Sequence, residues 1–122
     1  MFRILSVALV CAQPTSVNEP YRSRGPVAYV DKKLQVVVYA ETDGRHVSAI
    51  NFDGRVLWTR NPFVDAHLKP YRVAEPKIVF FYTPRPRMIE GKKGSFVGVM
   101  FESTQSGLMD LESGKFTFLG QD

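Results

Sequence analysis

Leu34 to Arg60 reads LQVVVYAETDGRHVSAINFDGRVLWTR, and its punctuation decides the fold class. Three apolar runs are separated by Thr42-Asp43-Gly44-Arg45 and by Asp53-Gly54. Asp-Gly between β-rich runs is a strong hairpin signal, because tight primed turns need positive φ at their central residues. The stretch therefore predicts strand, turn, strand, turn, strand, closing on Val56-Leu57-Trp58.

The rest of the chain agrees with an all-β reading. Nine Phe, five Tyr and one Trp among 122 residues, with many Val, favour strands over helices. No window carries a 3.6-residue apolar period, and eight prolines restrict helices further. At most one helical turn fits between Pro62 and Leu68. A hydrophobic content of 44% with 23% charged residues suits a folded chain and argues against wholesale disorder. The length suits one domain.

Working outward, the chain repeats. Pro20-Tyr21-Arg22-Ser23-Arg24-Gly25-Pro26 recurs as Pro70-Tyr71-Arg72-Val73-Ala74-Glu75-Pro76, and each copy leads into an apolar stretch. Further on, Leu34 to Glu41 matches Ser95 to Glu102, Asp53-Gly54 matches Ser113-Gly114, and Val56-Leu57-Trp58 matches Phe116-Thr117-Phe118. One insertion, Pro84 to Gly94, reconciles the two offsets. The expected organisation is a β-domain over 18–122 made of two repeats, about 20–60 and 70–120, with an insertion loop at 84–94. Each repeat is a four-stranded meander, with strands near 27–31, 34–41, 46–52 and 55–60, then 77–82, 95–102, 107–112 and 115–119. Trp58 and Phe118 are expected at equivalent core positions, with Leu57 and Leu119 pointing the other way.

Several strands are apolar on both faces, as in Val36 and Val38 against Val37 and Tyr39. Such strands are covered on both sides, which excludes a single sheet open to water. Two arrangements satisfy this. The meanders stack as a compact sandwich or partly closed barrel, or several two-bladed chains assemble an oligomeric propeller.

Val47-Ser48-Ala49-Ile50-Asn51-Phe52-Asp53-Gly54-Arg55-Val56-Leu57-Trp58 resembles the blade motif of quinoprotein-like (PQQ-type) β-propeller repeats. The similarity covers about Val36 to Arg60 and extends only loosely to the second copy, where Phe118 stands for the Trp. It implies blade-like meanders. The quinone- and metal-binding residues of the enzymes have no counterpart in this sequence, so no cofactor and no dehydrogenase activity are implied.

The N-terminal 1–17 segment supports two readings. Arg3 followed by Ile4 to Ala12 has the basic and apolar parts of an export signal, implying a secreted or periplasmic protein. Alternation of Phe2, Ile4, Ser6, Ala8 and Val10 equally fits a strand of a cytoplasmic protein. Cys11 is the only cysteine, so no intrachain disulfide forms. No apolar run reaches the length of a membrane span.

No catalytic constellation stands out. Asp65-Ala66-His67 has two metal-ligand types close together, but a transition-metal site needs three or four ligands and His46 is the only other histidine. Asp65 is expected to cap a turn, and His46 to stand exposed on a strand. Asp31, Asp43, Asp53 and Asp110 fall at turns, where Asp bonds backbone. Glu41 and Glu102 hold matching repeat positions, the one candidate carboxylate pair for a hydrolase. Gly91-Lys92-Lys93-Gly94-Ser95 lacks the spacing of a phosphate loop. The insertion carries Arg85, Arg87, Lys92 and Lys93 against Glu90 alone. With Tyr21, Arg22, Arg24, Tyr71 and Arg72 it makes a candidate surface for an anionic or protein partner, nucleic acid included. A net charge of +4 is compatible with such a partner without demanding one. The leading expectation is a small non-enzymatic exported β-domain that binds or scaffolds. The alternatives are a cytoplasmic nucleic-acid-associated module using the basic loop and a carboxylate-dependent hydrolase.

Overall fold

Eight short strands follow one another as two meanders, in a computed structural model whose described residues are 27–122. The readings of the N-terminal 1–17 segment and of Tyr21, Arg22 and Arg24 lie outside the described residues. The first sheet contains β1 (Ala28–Asp31), β2 (Val36–Ala40), β3 (Val47–Asn51) and β4 (Val56–Arg60). The second contains β5 (Ile78–Tyr82), β6 (Phe96–Phe101), β7 (Ser106–Asp110) and β8 (Phe116–Gly120). Strand order in both sheets is sequential and all pairing is antiparallel, so the expected pair of like meanders is present. Neither sheet closes on itself.

The turns are built by Asx side chains, with one correction to the primed-turn expectation. Asn51, not Asp53, organises the β3–β4 turn: its Oδ1 accepts from the N–H of Asp53 at 3.0 Å and of Arg55 at 2.9 Å. The N–H of Gly54 closes on the Asn51 carbonyl, and Gly54 sits at φ +88°. This is the longer turn ending in a left-handed glycine, not a two-residue primed turn. Asp110 does the same work in the β7–β8 turn, accepting from Glu112 at 2.8 Å and Ser113 at 3.1 Å, with Gly114 at φ +79°.

The single helical turn, α1 (Pro62–Asp65), lies where proline punctuation allowed it. Its cap is Asn61, whose side chain accepts from the Val64 N–H, and not Asp65. Pro62 takes the first helical position, where its missing N–H costs nothing. Phe63 thereby drops into the core and meets Phe101 edge-on at 5.9 Å, while Phe101 meets Phe116 at 6.1 Å. Such edge-to-face contacts add to the gain from burial.

Which faces meet follows from the hydrogen bonds. Along a strand, successive residues bond alternately to the preceding and the following strand, and their side chains alternate between faces in step. In β2, Ala40 bonds back to Val27 and Glu41 bonds forward to His46. In the second sheet, Glu102 bonds back to Lys77 and Phe101 bonds forward to Gln105. Hence Val36, Val38 and Ala40 share a back-bonding face, here face A, and in β6 the corresponding residues are Phe96, Gly98 and Met100. The ladder offset between these strands is therefore one less than the offset at which their side chains match.

One residue of phase exchanges the faces. The core pairs face A of the first sheet (Val36, Val38, Val47, Ala49, Trp58) with the opposite face, B, of the second (Val97, Val99, Phe101, Met109, Phe116). The sheets stack front to back. They come closest at β1 and β5. Cross-links between them run from the Ile78 N–H to the Gly44 carbonyl (2.8 Å) and from Tyr29 Oη to Thr83 Oγ1 (3.1 Å). On the other side, the Trp58 indole N–H donates to the Leu111 carbonyl (2.9 Å) and Arg60 donates to the Ser113 carbonyl (2.8 Å).

The expected equivalence of Trp58 and Phe118 fails. Trp58 is 6% exposed, whereas Phe118 is 39% exposed. The cause is the placement of a β-bulge in each last strand. In β4 the register skips Leu57, between Val56 and Trp58; in β8 it skips Leu119, two pairs later. Trp58 opposes Ala49 and Thr117 opposes Leu108, so Thr117 holds the ladder position of Trp58. The buried aromatic of β8 is Phe116 instead. Leu57 and Leu119 do both stand exposed.

Candidate functional site

Four places carry the residue types that chemistry or recognition needs: the turn before β3, the insertion loop, a groove beside α1, and the outer sheet faces.

In the turn before β3, Asp43 Oδ1 accepts the N–H of Arg45 (2.8 Å) and His46 (3.0 Å), and its Oδ2 meets His46 Nδ1 at 2.6 Å. The His46 N–H, then the Arg45 N–H and the His46 ring, hold the Asp43 carboxyl below the ordinary aspartate range. Each contact supports the loop that aligns β2 with β3, so the pair does structural work. His46 is exposed, as expected. Glu41 and Glu102 do not form a carboxylate pair. Glu41 accepts from the Ser48 hydroxyl, which also meets Thr59 Oγ1 at 2.8 Å; Glu102 Oε1 accepts the Lys77 N–H at 2.9 Å. Both acids thus brace their own sheets. Asp65 and His67 are exposed, and no cluster of three or more His, Cys, Asp or Glu occurs among the described residues.

The insertion loop is exposed at all four cations, Arg85, Arg87, Lys92 and Lys93. It is not featureless. Pro86–Ile89 forms a 3-10 turn, Pro84 is buried, and Met88 and Ile89 are half-buried. Apolar side chains thus anchor the loop while its charges face water. Tyr71 and Arg72 stand next to one another with the guanidinium 5.2 Å from the ring centre. Both bond the Asp122 carbonyl, the Arg72 guanidinium at 2.9 Å and the Tyr71 hydroxyl beside it.

The groove has a volume of about 420 Å³ and is lined by His67, Lys69, Tyr71, Gln105, Phe118 and Gln121 among others. Its buried polar wall is already engaged. The Ser103 hydroxyl donates to Gln105 Oε1 (2.7 Å), and Gln105 Nε2 donates to the Lys69 carbonyl (3.0 Å). Next to this wall, Thr104 is held at φ +72°, unusual for a β-branched residue, and its buried hydroxyl has no partner among the described residues.

The outer faces carry exposed apolar side chains beside polar ones: Ser48 and Thr59, bonded to one another, lie on face B of the first sheet, and Ser106, Thr117 and a buried Leu108 on face A of the second. Face B of the first sheet presents Val30 and Val56, with Leu57 at the bulge and Phe52 in the turn, all exposed. Face A of the second presents Phe80, beside half-buried Tyr82, Phe96 and Met100. Phe80 and Tyr82 meet at 6.0 Å, and the Tyr82 ring lies over Gly98, where a Cβ would come within 2.2 Å of it. Strands apolar on both sides are expected to be covered on both; among the described residues, one face of each sheet has no second sheet packed on it. No family model matches this chain, nor does any curated protein or solved structure.

Proposed function

We propose that this protein is a binding or scaffolding module that works through the open faces of its two sheets. The observation that supports this reading is the apolar side chains exposed on both outer faces, Val30, Val56 and Leu57 on one and Phe80 on the other. Contiguous apolar surface costs free energy in water and marks interaction sites, whereas scattered exposed hydrophobic residues do not. The resemblance of Val36 to Arg60 to propeller-blade repeats points the same way, since blades bury both of their faces against neighbours. Asp43, His46, Glu41, Glu102 and Gln105 are engaged in hydrogen bonds that hold turns and sheets together, which weighs the reading toward recognition and away from turnover.

The test is site-specific photo-crosslinking in cells of the native source. A photoreactive phenylalanine replaces Leu57 or Phe80, with positions 85 and 92 of the basic loop as comparators. Protein adducts from the two face positions are expected. Adducts confined to the loop positions would transfer the role to Arg85, Arg87, Lys92 and Lys93 and overturn this proposal.

A further inference from the structure

The internal interface shows what each open face is built to receive. Equivalent ladder positions in the two sheets can be compared one by one. Leu111 and Phe52 each follow the Asx residue of the last turn, and their N–H groups bond the Ser95 and Gln35 carbonyls. Leu111 is 0% exposed, seated in the shared core; Phe52 is 52% exposed. Phe116 opposes Met109 and is buried, while Val56 opposes Ile50 and is exposed. Val27, bonded to Ala40, packs against the core, whereas Phe80, opposite Met100, is 47% exposed. Gly114 lies under Trp58, yet Gly54, its turn counterpart, has open space around it. At these positions a residue covered in one sheet is answered by an exposed one in the other, whereas Trp58 is answered by exposed Thr117 and Ala49 by buried Leu108.

The two open faces are of opposite kinds. Within the chain, an A face packs on a B face. What is left over among the described residues is the B face of the first sheet and the A face of the second, the same complementary pair. They lie on opposite sides of the molecule, so they cannot meet within one chain. Applying the internal packing operation once more sets the open A face of one copy on the open B face of the next, continuing the interface already present between the sheets.

We propose that copies of this chain associate head to tail through these faces, A on B, extending the front-to-back stack. This deepens the binding reading above and rests on it. A heterologous contact of this type closes into a ring when its rotation permits. Propellers close with roughly four to eight blades, or about two to four copies of a two-bladed chain.

The test uses the full chain and two surface variants, Phe52→Asp on the B side and Phe80→Asp on the A side. Both positions are exposed, so each variant is expected to keep the wild-type circular dichroism. Sedimentation at micromolar concentration should give an assembly of wild type and a single chain for either variant alone. Mixing the two variants should then give a complex of two chains and no more, because the mixture retains one intact A face and one intact B face. A monomeric wild type overturns the proposal, as does an assembly that either folded variant leaves intact. Variants that dissociate but do not pair on mixing would show a face meeting its own kind, and overturn the head-to-tail arrangement. Should the assembly fail while Leu57 and Phe80 still crosslink to another protein in cells, the binding reading stands and only the identity of the occupant falls.

Discussion

Trp58 is held from several sides. Its ring packs in the core between the sheets, Gly114 lies against its six-membered ring, and its indole N–H donates to a buried carbonyl of the opposite sheet. Truncation removes both a large apolar group and the hydrogen bond that joins β4 to the β7–β8 turn. A buried aromatic cut to Ala typically costs about 3–5 kcal/mol. Trp58→Ala is therefore expected to lose most of the stability of a small domain, in urea titrations followed by ellipticity. Phe118→Ala, at the position that sequence matching pairs with it, should cost far less, because its ring already stands partly in water beside the groove. Equal losses at the two sites would contradict the bulge placement given above. That difference was not legible in the residues themselves: Val56-Leu57-Trp58 and Phe116-Thr117-Phe118 look alike. The skipped Leu57 sets Trp58 opposite Ala49 on the core face, whereas Phe118 shares the face of Phe116 but stands partly exposed at the groove.

At the scale of elements, the β3–β4 and β7–β8 turns form a natural comparison. Both end in a left-handed glycine after an Asx side chain, yet only the second is packed against the other sheet. An Ala at either glycine meets the left-handed penalty of about 1–2 kcal/mol for an L-residue. At Gly114 the new Cβ would also lie 2.6 Å from the Trp58 ring, a clash that something must relieve. Gly114→Ala is thus expected to be about 1–3 kcal/mol more destabilising than Gly54→Ala. Urea midpoints measured on the Phe80→Asp background, which the proposed association predicts to be a single chain, check this. The insertion loop was legible as an exposed, cation-bearing element because prolines, glycines and charges all oppose burial. Its 3-10 turn and buried Pro84 were not, since they depend on apolar neighbours that only the folded sheet supplies.

At the scale of the whole molecule, the two sheets share one core, and the bonds from Trp58 and Arg60 cross between them. Most buried apolar residues of both sheets belong to that shared core, so the pair is expected to unfold as a unit, as most domains below about 150 residues do. Fluorescence of Trp58, the sole tryptophan, and far-UV ellipticity should give coincident urea transitions. Separate transitions would show sheets that stand independently. The sequence by itself determined the all-β class, the two four-stranded meanders, the turn positions and the single helical turn. Those features rest on local signals: β-branched and aromatic runs, Asx-Gly punctuation and proline, each read within a few residues. The tertiary structure decided which face of each sheet is buried, where the bulges fall and which aromatic anchors the core. These strands are apolar on both sides, so composition cannot choose a face. The choice rests on one residue of ladder phase, and that phase is set by hydrogen bonds between strands and packing between sheets.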